Sequence, residues 1–305
     1  MLSLSKHEER VDAVLIAGPT ASGKSAAALA LAERIGGTII NADSMQVYAE
    51  LRVLTARPTP SDEARVPHRL YGHIGARERY SVGRYQAEAA ATLAETRAAG
   101  RVPIFVGGTG LYFDVLTKGL SPIPPVPAEI REATRRRFEE IGRDAFYAEL
   151  QARDPQTAAR LRISDTQRLA RAMDVLQATG RPLSQWQAMD GEPVVAGLKT
   201  ARFVLAPPRD VLARRIEQRF DAMVAAGALD EAGALTGLDP SLPAAKALGL
   251  PQLQCHLAGE TSLENAAAEA KLATRQYVKR QLTWFRNRMK NWTWLEDADV
   301  GNFIA

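Results

Sequence analysis

From the amino end to about residue 120, short apolar runs alternate with longer amphipathic stretches. The runs "DAVLIA" from Asp12, "GTII" from Gly37 and "VPIFVGG" from Val102 have strand length. Between the second and third, "VGRYQAEAAATLAETRAAG" from Val82 repeats at helical spacing, with Gly100 as its stop. Such alternation predicts a mostly parallel sheet with helices on both faces, whose ligands gather beyond the carboxyl ends of the strands.

The pattern changes at "GLSPIPPVPAEI", where Pro122, Pro124, Pro125 and Pro127 break any regular element. From there to about Leu198 the periodicity is helical, arginine is dense, and no strand is evident. The run "ARFVLAPP" from Ala201 then reads as a return to the sheet, and the remainder is helical through "KNWTWLE". Three segments result: a first core part over 1–120, a helical insertion over 121–199, and a second core part over 200–305. In the last helix Val278, Leu282, Phe285 and Met289 form a core-facing stripe. Arg275, Lys279, Arg286 and Lys290 form a stripe beside it. No acidic residue lies between Lys271 and Lys290, so this basic ridge reads as uncompensated and suited to a phosphate backbone. The plain alternative is a solvated helix face.

Gly18, Gly23, Lys24 and Ser25 complete the spacing Gly-x-x-x-x-Gly-Lys-Ser, between an apolar strand and an Ala/Leu-rich helix. In that context the motif is a phosphate-binding P-loop. Its N–H groups converge on an anion at a helix N-terminus, Lys24 adds a point charge and Ser25 a hydroxyl for Mg²⁺. A helix simply capped by Ser22 is the alternative. The fold class expected is α/β, a P-loop core interrupted by an all-helical insertion. The motif implies a diphosphate-sized anion without naming it.

Nucleotide hydrolases place a carboxylate at the end of a second apolar strand. Here "VPIFVGGTG" ends in glycines and Thr109 instead. The nearest acid is Asp43 in "IINADSMQVY", either a metal-organising residue or general base, or a turn-forming Asp. A small-molecule kinase would fit this layout if the arginines of "RRIEQRF" (Arg214, Arg215, Arg219) supplied a lid. Residues alone do not separate phosphoryl transfer from another use of a diphosphate.

Bulk properties narrow the setting. The 305 residues carry a net charge of +4 and a single cysteine, Cys255, which excludes a disulfide framework or a cysteine-built metal centre. No apolar run approaches the roughly 18 residues of a membrane span. The start, "MLSLSKHEERVD", lacks the apolar centre of a secretory signal and reads as a frayed tail. A reducing cytoplasmic setting is expected.

Taken in order, "GPTASGKS", "NADSMQVY", "LTARP", "VPHRLYGHI", "YSVGRYQAEA", "PIFVGGTGLYF", "SDTQRLARAMDV" and "TRQYVKRQLTWFR" resemble the tRNA dimethylallyltransferases over roughly residues 12–290. That resemblance implies an enzyme moving the prenyl group of dimethylallyl diphosphate to N6 of the adenosine 3′ of the anticodon. The P-loop (Gly18, Pro19, Thr20, Ala21, Ser22, Gly23, Lys24, Ser25) would hold the diphosphate with Mg²⁺ at Ser25 and Arg219, with Arg215 as the alternative arginine. Asp43 would take the amine proton. Thr109 would bond near the adenine and the departing oxygens, and Thr20 near the bridging oxygen. Asp43, Ser44, Met45, Gln46 and Thr109 would contact the extruded base. The helix with Gln167, Arg168, Leu169, Ala170 and Arg171, together with Arg131, would contact the anticodon stem-loop of a tRNA. A monomer is expected. His68 followed by Arg69, and "KALGLPQL" with Leu250, depart from the family pattern, and no Cys/His zinc module follows the core. A P-loop kinase, and an RNA-binding protein with a relict P-loop, are the competing readings.

Overall fold

The structure, a computed structural model, describes residues 11–297 and 300. All but the last two residues of the expected tail lie outside these; Asp12 is tied down, its N–H donating to Lys199 O at 2.8 Å.

The elements in chain order are β1 (Ala13–Ala17), α1 (Lys24–Ile35), β2 (Gly37–Asn41), α2 (Pro60–Arg65), β3 (His68–Arg69), α3 (Val82–Ala98), β4 (Val102–Gly107) and α4 (Gly110–Lys118). There follow α5 (Ala128–Arg153), α6 (Pro155–Ala158), α7 (Thr166–Thr179) and α8 (Leu183–Gln187). The chain closes with β5 (Thr200–Leu205), α9 (Arg209–Ala225), α10 (Ala228–Ala234), α11 (Leu250–Leu257), α12 (Leu263–Arg288) and β6 (Thr293–Leu295).

Among the described residues six strands form one sheet in the order β3-β2-β4-β1-β5-β6, every pair parallel. β1 sits centrally, with Val14 opposite Ile104 of β4 and Ala201 of β5. Side chains alternate between faces along each strand. Leu15, Ile40, Phe105 and Val204 therefore enter one core with Tyr85, Phe113 and Phe285 from the helices. Val14, Ile16, Ile104 and Phe203 enter a second core beneath α1, whose Ala28, Leu31 and Ala32 are buried.

The four apolar runs are strands, as their pattern predicts. Two short edge strands escaped it. β3 spans two residues and β6 three, too few for a period to register. The last helix also ends sooner than its composition suggests. α12 stops at Arg288, Met289 folds in as its cap, and Thr293–Leu295 pairs with β5.

One arrangement at the sheet's carboxyl edge positions the site. Ala42 N donates to Val106 O at 2.8 Å, Thr109 N to Ala42 O at 3.2 Å, and Gly18 N to Gly107 O at 3.2 Å. A Cβ on Gly107 would lie 1.9 Å from Ala42 O, so only glycine lets these strand ends meet.

Residues 118–193 form a second compact unit. It is helical, with Phe146, Leu150, Leu169 and Met173 in its own core. Residues 194–199 belong with the sheet, against the expected limit at 199: buried Val195 donates its N–H to Leu116 O at 3.0 Å. α5 is broken at Gly142, where φ is 75°.

Phe105 is fully buried where β1, β2 and β4 run side by side. Phe105→Ala is expected to cost about 3–5 kcal/mol. Urea unfolding should show a lower midpoint with an unchanged slope.

Candidate active site

The P-loop leaves β1 at Gly18 and enters α1 at Lys24. A Cβ on Gly18 would meet Ser22 Oγ at 2.6 Å and Leu205 O at 2.8 Å, while Ala21 (φ 66°) and Gly23 (φ 93°) take left-handed conformations that curl the chain inward. Gly23, not Ser22, caps α1, and no side chain satisfies its first turn. Those N–H groups stay available to an anion. Lys24 Nζ donates to Pro19 O at 3.2 Å. Burial pulls the Lys24 ammonium from its ordinary 10.5 down to about 8, against the stabilising charge of Asp43 and with a further push from Arg219.

Asp43 follows β2. Its Oδ1 accepts the Met45 N–H at 2.9 Å, and its own N–H goes to Asn41 Oδ1 at 2.8 Å. The Asp-turn reading is thus correct, yet the carboxylate also lines the cavity. Its charge reaches Lys24, Arg219, Tyr71, Tyr112 and Tyr277. The three phenols are pushed well up, by burial first and then by Asp43, so they remain protonated. Thr109 stands behind Ser44: its Oγ1 accepts the Ser44 N–H at 2.9 Å and donates to Ser44 Oγ at 3.2 Å.

The cavity encloses about 360 Å³. Of the residues expected at the site, Thr20, Lys24, Ser25, Asp43, Ser44, Met45, Gln46 and Arg219 line it, and Thr109 does not. α9 supplies Ile216, Arg219, Phe220 and Met223, and α12 supplies Thr274, Tyr277 and Arg280. Arg219 is half-buried, its guanidinium donating to Thr55 O at 3.3 Å. Arg215, one turn earlier, donates to Ser22 O at 3.2 Å and borders only a smaller recess over Ala21–Ala26, which Arg219 also borders. α9 is therefore packed on the P-loop rather than hinged above it as a lid.

Several expectations need correction. Gln46 lines the cavity, but its amide nitrogen donates to Thr55 O (2.9 Å) and Ala56 O (3.0 Å), holding the 53–57 turn. Leu169 is fully buried in the helical unit and presents no surface. The basic ridge is partly compensated: Arg275 pairs with Glu217, and Lys271 with Glu217 (3.3 Å) and Asp221 (2.7 Å) of α9. In the helical unit Gln167, Arg168 and Arg171 are exposed on α7 and Arg131 on α5, with Ala170 half-buried. Arg168 pairs with Asp165 at 3.2 Å.

A family model described as IPP transferase matches residues 46–288. A "tRNA dimethylallyltransferase" of Rhodopseudomonas palustris is 53% identical over 301 residues, 98% of this chain and 94% of the relative. The chain belongs to the IPP transferase family. A relative of the same name from Nitrobacter hamburgensis is 55% identical, covering 95% of this chain and 92% of its own length. Among solved structures, the full-length tRNA isopentenylpyrophosphate transferase from Bacillus halodurans is 32% identical with a TM-score of 0.66, over 97% of this chain and 93% of that one. A eukaryotic dimethylallyltransferase acting on tRNA gives a TM-score of 0.81 at 26% identity, over 95% of this chain and 75% of that one.

Within this IPP transferase, sequence reading missed the polar lining residues Thr55, Lys246, Thr274, Tyr277 and Arg280, and with them Gln281, which lies behind the lining. It is buried to 5% exposure, accepts the Thr20 N–H at 3.0 Å and donates to Gly108 O at 2.8 Å. The one available signal was the stripe Thr274, Tyr277, Gln281, which breaks the basic pattern of the helix at spacings of three and four.

Lys24 governs a pH response. Its ammonium, held near 8, is charged at neutral pH and lost as pH rises past that value. The advantage of the wild-type chain over Lys24→Met in binding inorganic pyrophosphate should therefore shrink between about pH 7 and 9, by up to about tenfold per unit above the pKa. Calorimetric titration of both proteins measures it. A pH-independent ratio contradicts the assignment.

Proposed function

We propose that the protein transfers a dimethylallyl group from dimethylallyl diphosphate to N6 of the adenosine 3′-adjacent to the anticodon of a tRNA, releasing diphosphate. One observation carries this reading: a single cavity joins an anion cradle, an apolar wall and one carboxylate. Lys24, Arg219 and the first turn of α1 form the cradle. Leu54, Ile216, Phe220, Met223 and Leu248 form a wall suited to a short hydrocarbon tail.

Breaking the C1–O bond of the donor places charge on the departing diphosphate. Lys24 and Arg219 are already fixed and partly dehydrated beside it, where their charges act strongly. The electron pair of the adenine N6 forms the new C–N bond while that nitrogen sheds a proton. Asp43 is the carboxylate placed to accept it. Ser44, with Thr109 holding its peptide and hydroxyl, borders the space for the base. A base must leave its stack to enter, which a single-stranded loop permits cheaply.

Ser25 and Asp43 offer hard oxygen donors on the same cavity. They suit Mg²⁺, which binds through few protein oxygens and shares substrate phosphates. Bound there, it would neutralise diphosphate charge. The exposed Gln167, Arg168, Arg171 and Arg131, and the exposed Lys279 and Arg286 of α12, provide tRNA contacts in this reading. The protein works as a cytoplasmic monomer. Among the described residues no helix is long and apolar enough to cross a membrane. The kinase alternative is disfavoured, since relatives 53% and 55% identical over nearly the whole chain are named tRNA dimethylallyltransferase.

Incubation with dimethylallyl diphosphate and tRNA, followed by nucleoside mass measurement, should show a gain of one prenyl unit. Asp43→Asn retains the acceptor for Met45 N–H but cannot take a proton. Its single-turnover rate should fall about 10²–10⁴-fold with tRNA affinity little changed. A near-normal rate removes Asp43 from its role. Binding of tRNA should also weaken steeply with salt, the slope reporting the number of phosphate contacts. A flat response in a titration across ionic strengths contradicts the basic surface as a backbone contact.

A further inference from the structure

We infer that Gln281 is a positioning residue for this reaction: its carboxamide holds the Thr20 peptide of the P-loop and the Gly108 peptide of the β4–α4 turn at one fixed separation. The inference rests on the prenyl-transfer reading and deepens it by naming what keeps the diphosphate cradle in register with the base-accepting side.

The two bonds are complementary. Oε1 accepts the Thr20 N–H at 3.0 Å and Nε2 donates to Gly108 O at 2.8 Å. The reverse orientation would set N–H against N–H and oxygen against carbonyl, so both partners dictate how the amide lies. The side chain is 5% exposed, and water cannot readily replace either bond. Its partners are 261 and 173 residues away along the chain, on the turns after β1 and β4.

The neighbourhood leaves the amide no other place. A Cβ on Gly108 would meet Gln281 Nε2 at 2.4 Å, and it would lie 3.3 Å from Asp43 Oδ2 and 3.4 Å from Gly18 O. Gly108 is thus the point where carboxamide, carboxylate and P-loop come within contact distance. The flanks of Gln281 on the same helix face are also fixed. Tyr277 lines the cavity, Trp284 fills the space over Gly110, and Arg288 pairs with Asp114 of α4 at 2.8 Å. α12 is pinned along about three turns, and Gln281 is a polar contact by which it reaches the P-loop.

The P-loop also needs such a partner. Thr20 N points at Gln281 and not at the phosphate space, which orients the Thr20 side chain toward the cavity it lines. Losing the strap would let this peptide turn and shift both Thr20 and the anion seat against Asp43. Misplacement of about 1 Å typically costs on the order of 10²-fold in rate.

The test compares Gln281→Met and Gln281→Glu with wild type, using dimethylallyl diphosphate and tRNA. Gln281→Met matches the length and removes both bonds. Its single-turnover rate at saturating substrates, measured well below the melting temperature, should fall about 10²-fold, with tRNA affinity close to wild type and a melting temperature lowered by a few degrees because two buried peptide groups lose their partner. Gln281→Glu keeps the acceptor for Thr20 but sets a carboxylate against Gly108 O. Its deficit relative to wild type should shrink as pH is lowered from about 8 to about 6, because the protonated acid donates as the amide did. Wild-type rates in Gln281→Met, a pH-independent deficit in Gln281→Glu, or equal losses of rate and tRNA affinity would each overturn the assignment. If wild type itself transfers no prenyl group, the prenyl-transfer reading fails. The strap is then judged by amide hydrogen exchange at Thr20: slow in wild type and accelerated in Gln281→Met supports it, and equal rates overturn it.

Discussion

The site depends on how closely three strand ends can approach one another. β1, β2 and β4 run parallel and deliver the P-loop, Asp43 and the Gly107–Thr109 turn to one edge. Backbone bonds from Gly18 to Gly107 and from Thr109 to Ala42 knit those ends together, and no side chain larger than hydrogen fits at Gly107. Phosphate cradle and carboxylate therefore share one cavity because the backbones touch. Side chains then refine the arrangement, with Thr109 holding Ser44 and Gln281 joining the P-loop to Gly108.

Within that frame the charges are unbalanced by design of the fold. Lys24 and Arg219 are both disfavoured by burial, and Asp43 alone among the groups acting on Arg219 offsets it. Four cations line the cavity, Lys24, Arg219, Lys246 and Arg280, against the one carboxylate of Asp43, which leaves it short of negative charge. An entering diphosphate would relieve that strain, and a neutral ligand would not. The same imbalance serves a departing diphosphate, since the cations need no rearrangement as charge develops. The surrounding phenols of Tyr71, Tyr112 and Tyr277 stay protonated and do not compete with Asp43 for a proton.

Local chemistry made the cradle legible in the sequence, and long-range packing hid the opposite wall. Gly18, Gly23, Lys24, Ser25 and Asp43 announce themselves because a P-loop needs those residues at those spacings beside a strand. The four long strands were equally plain, whereas β3 and β6 depend on neighbours in the sheet. Phe220, Met223 and Leu248 look like ordinary core residues until α9 and the segment before α11 fold over the cavity. Gln281 sits among arginines and lysines, and only its helical spacing from Thr274 and Tyr277 sets it apart from them. Arg275 misled for the opposite reason: its partner Glu217 lies 58 residues earlier, on a helix whose packing no periodicity reveals. Gln46 was found as a site residue, yet its bonds to Thr55 and Ala56 show that it shapes the cavity wall.

The most direct measurement is a crystal structure of the protein with tRNA and a non-reactive thio analogue of dimethylallyl diphosphate. The account requires the diphosphate against Lys24, Arg219 and the first turn of α1, the hydrocarbon tail against Phe220, Met223 and Leu248, and the adenine amine within hydrogen-bond distance of Asp43. An anionic head seated away from the P-loop, or an adenine amine out of reach of that carboxylate, would contradict it.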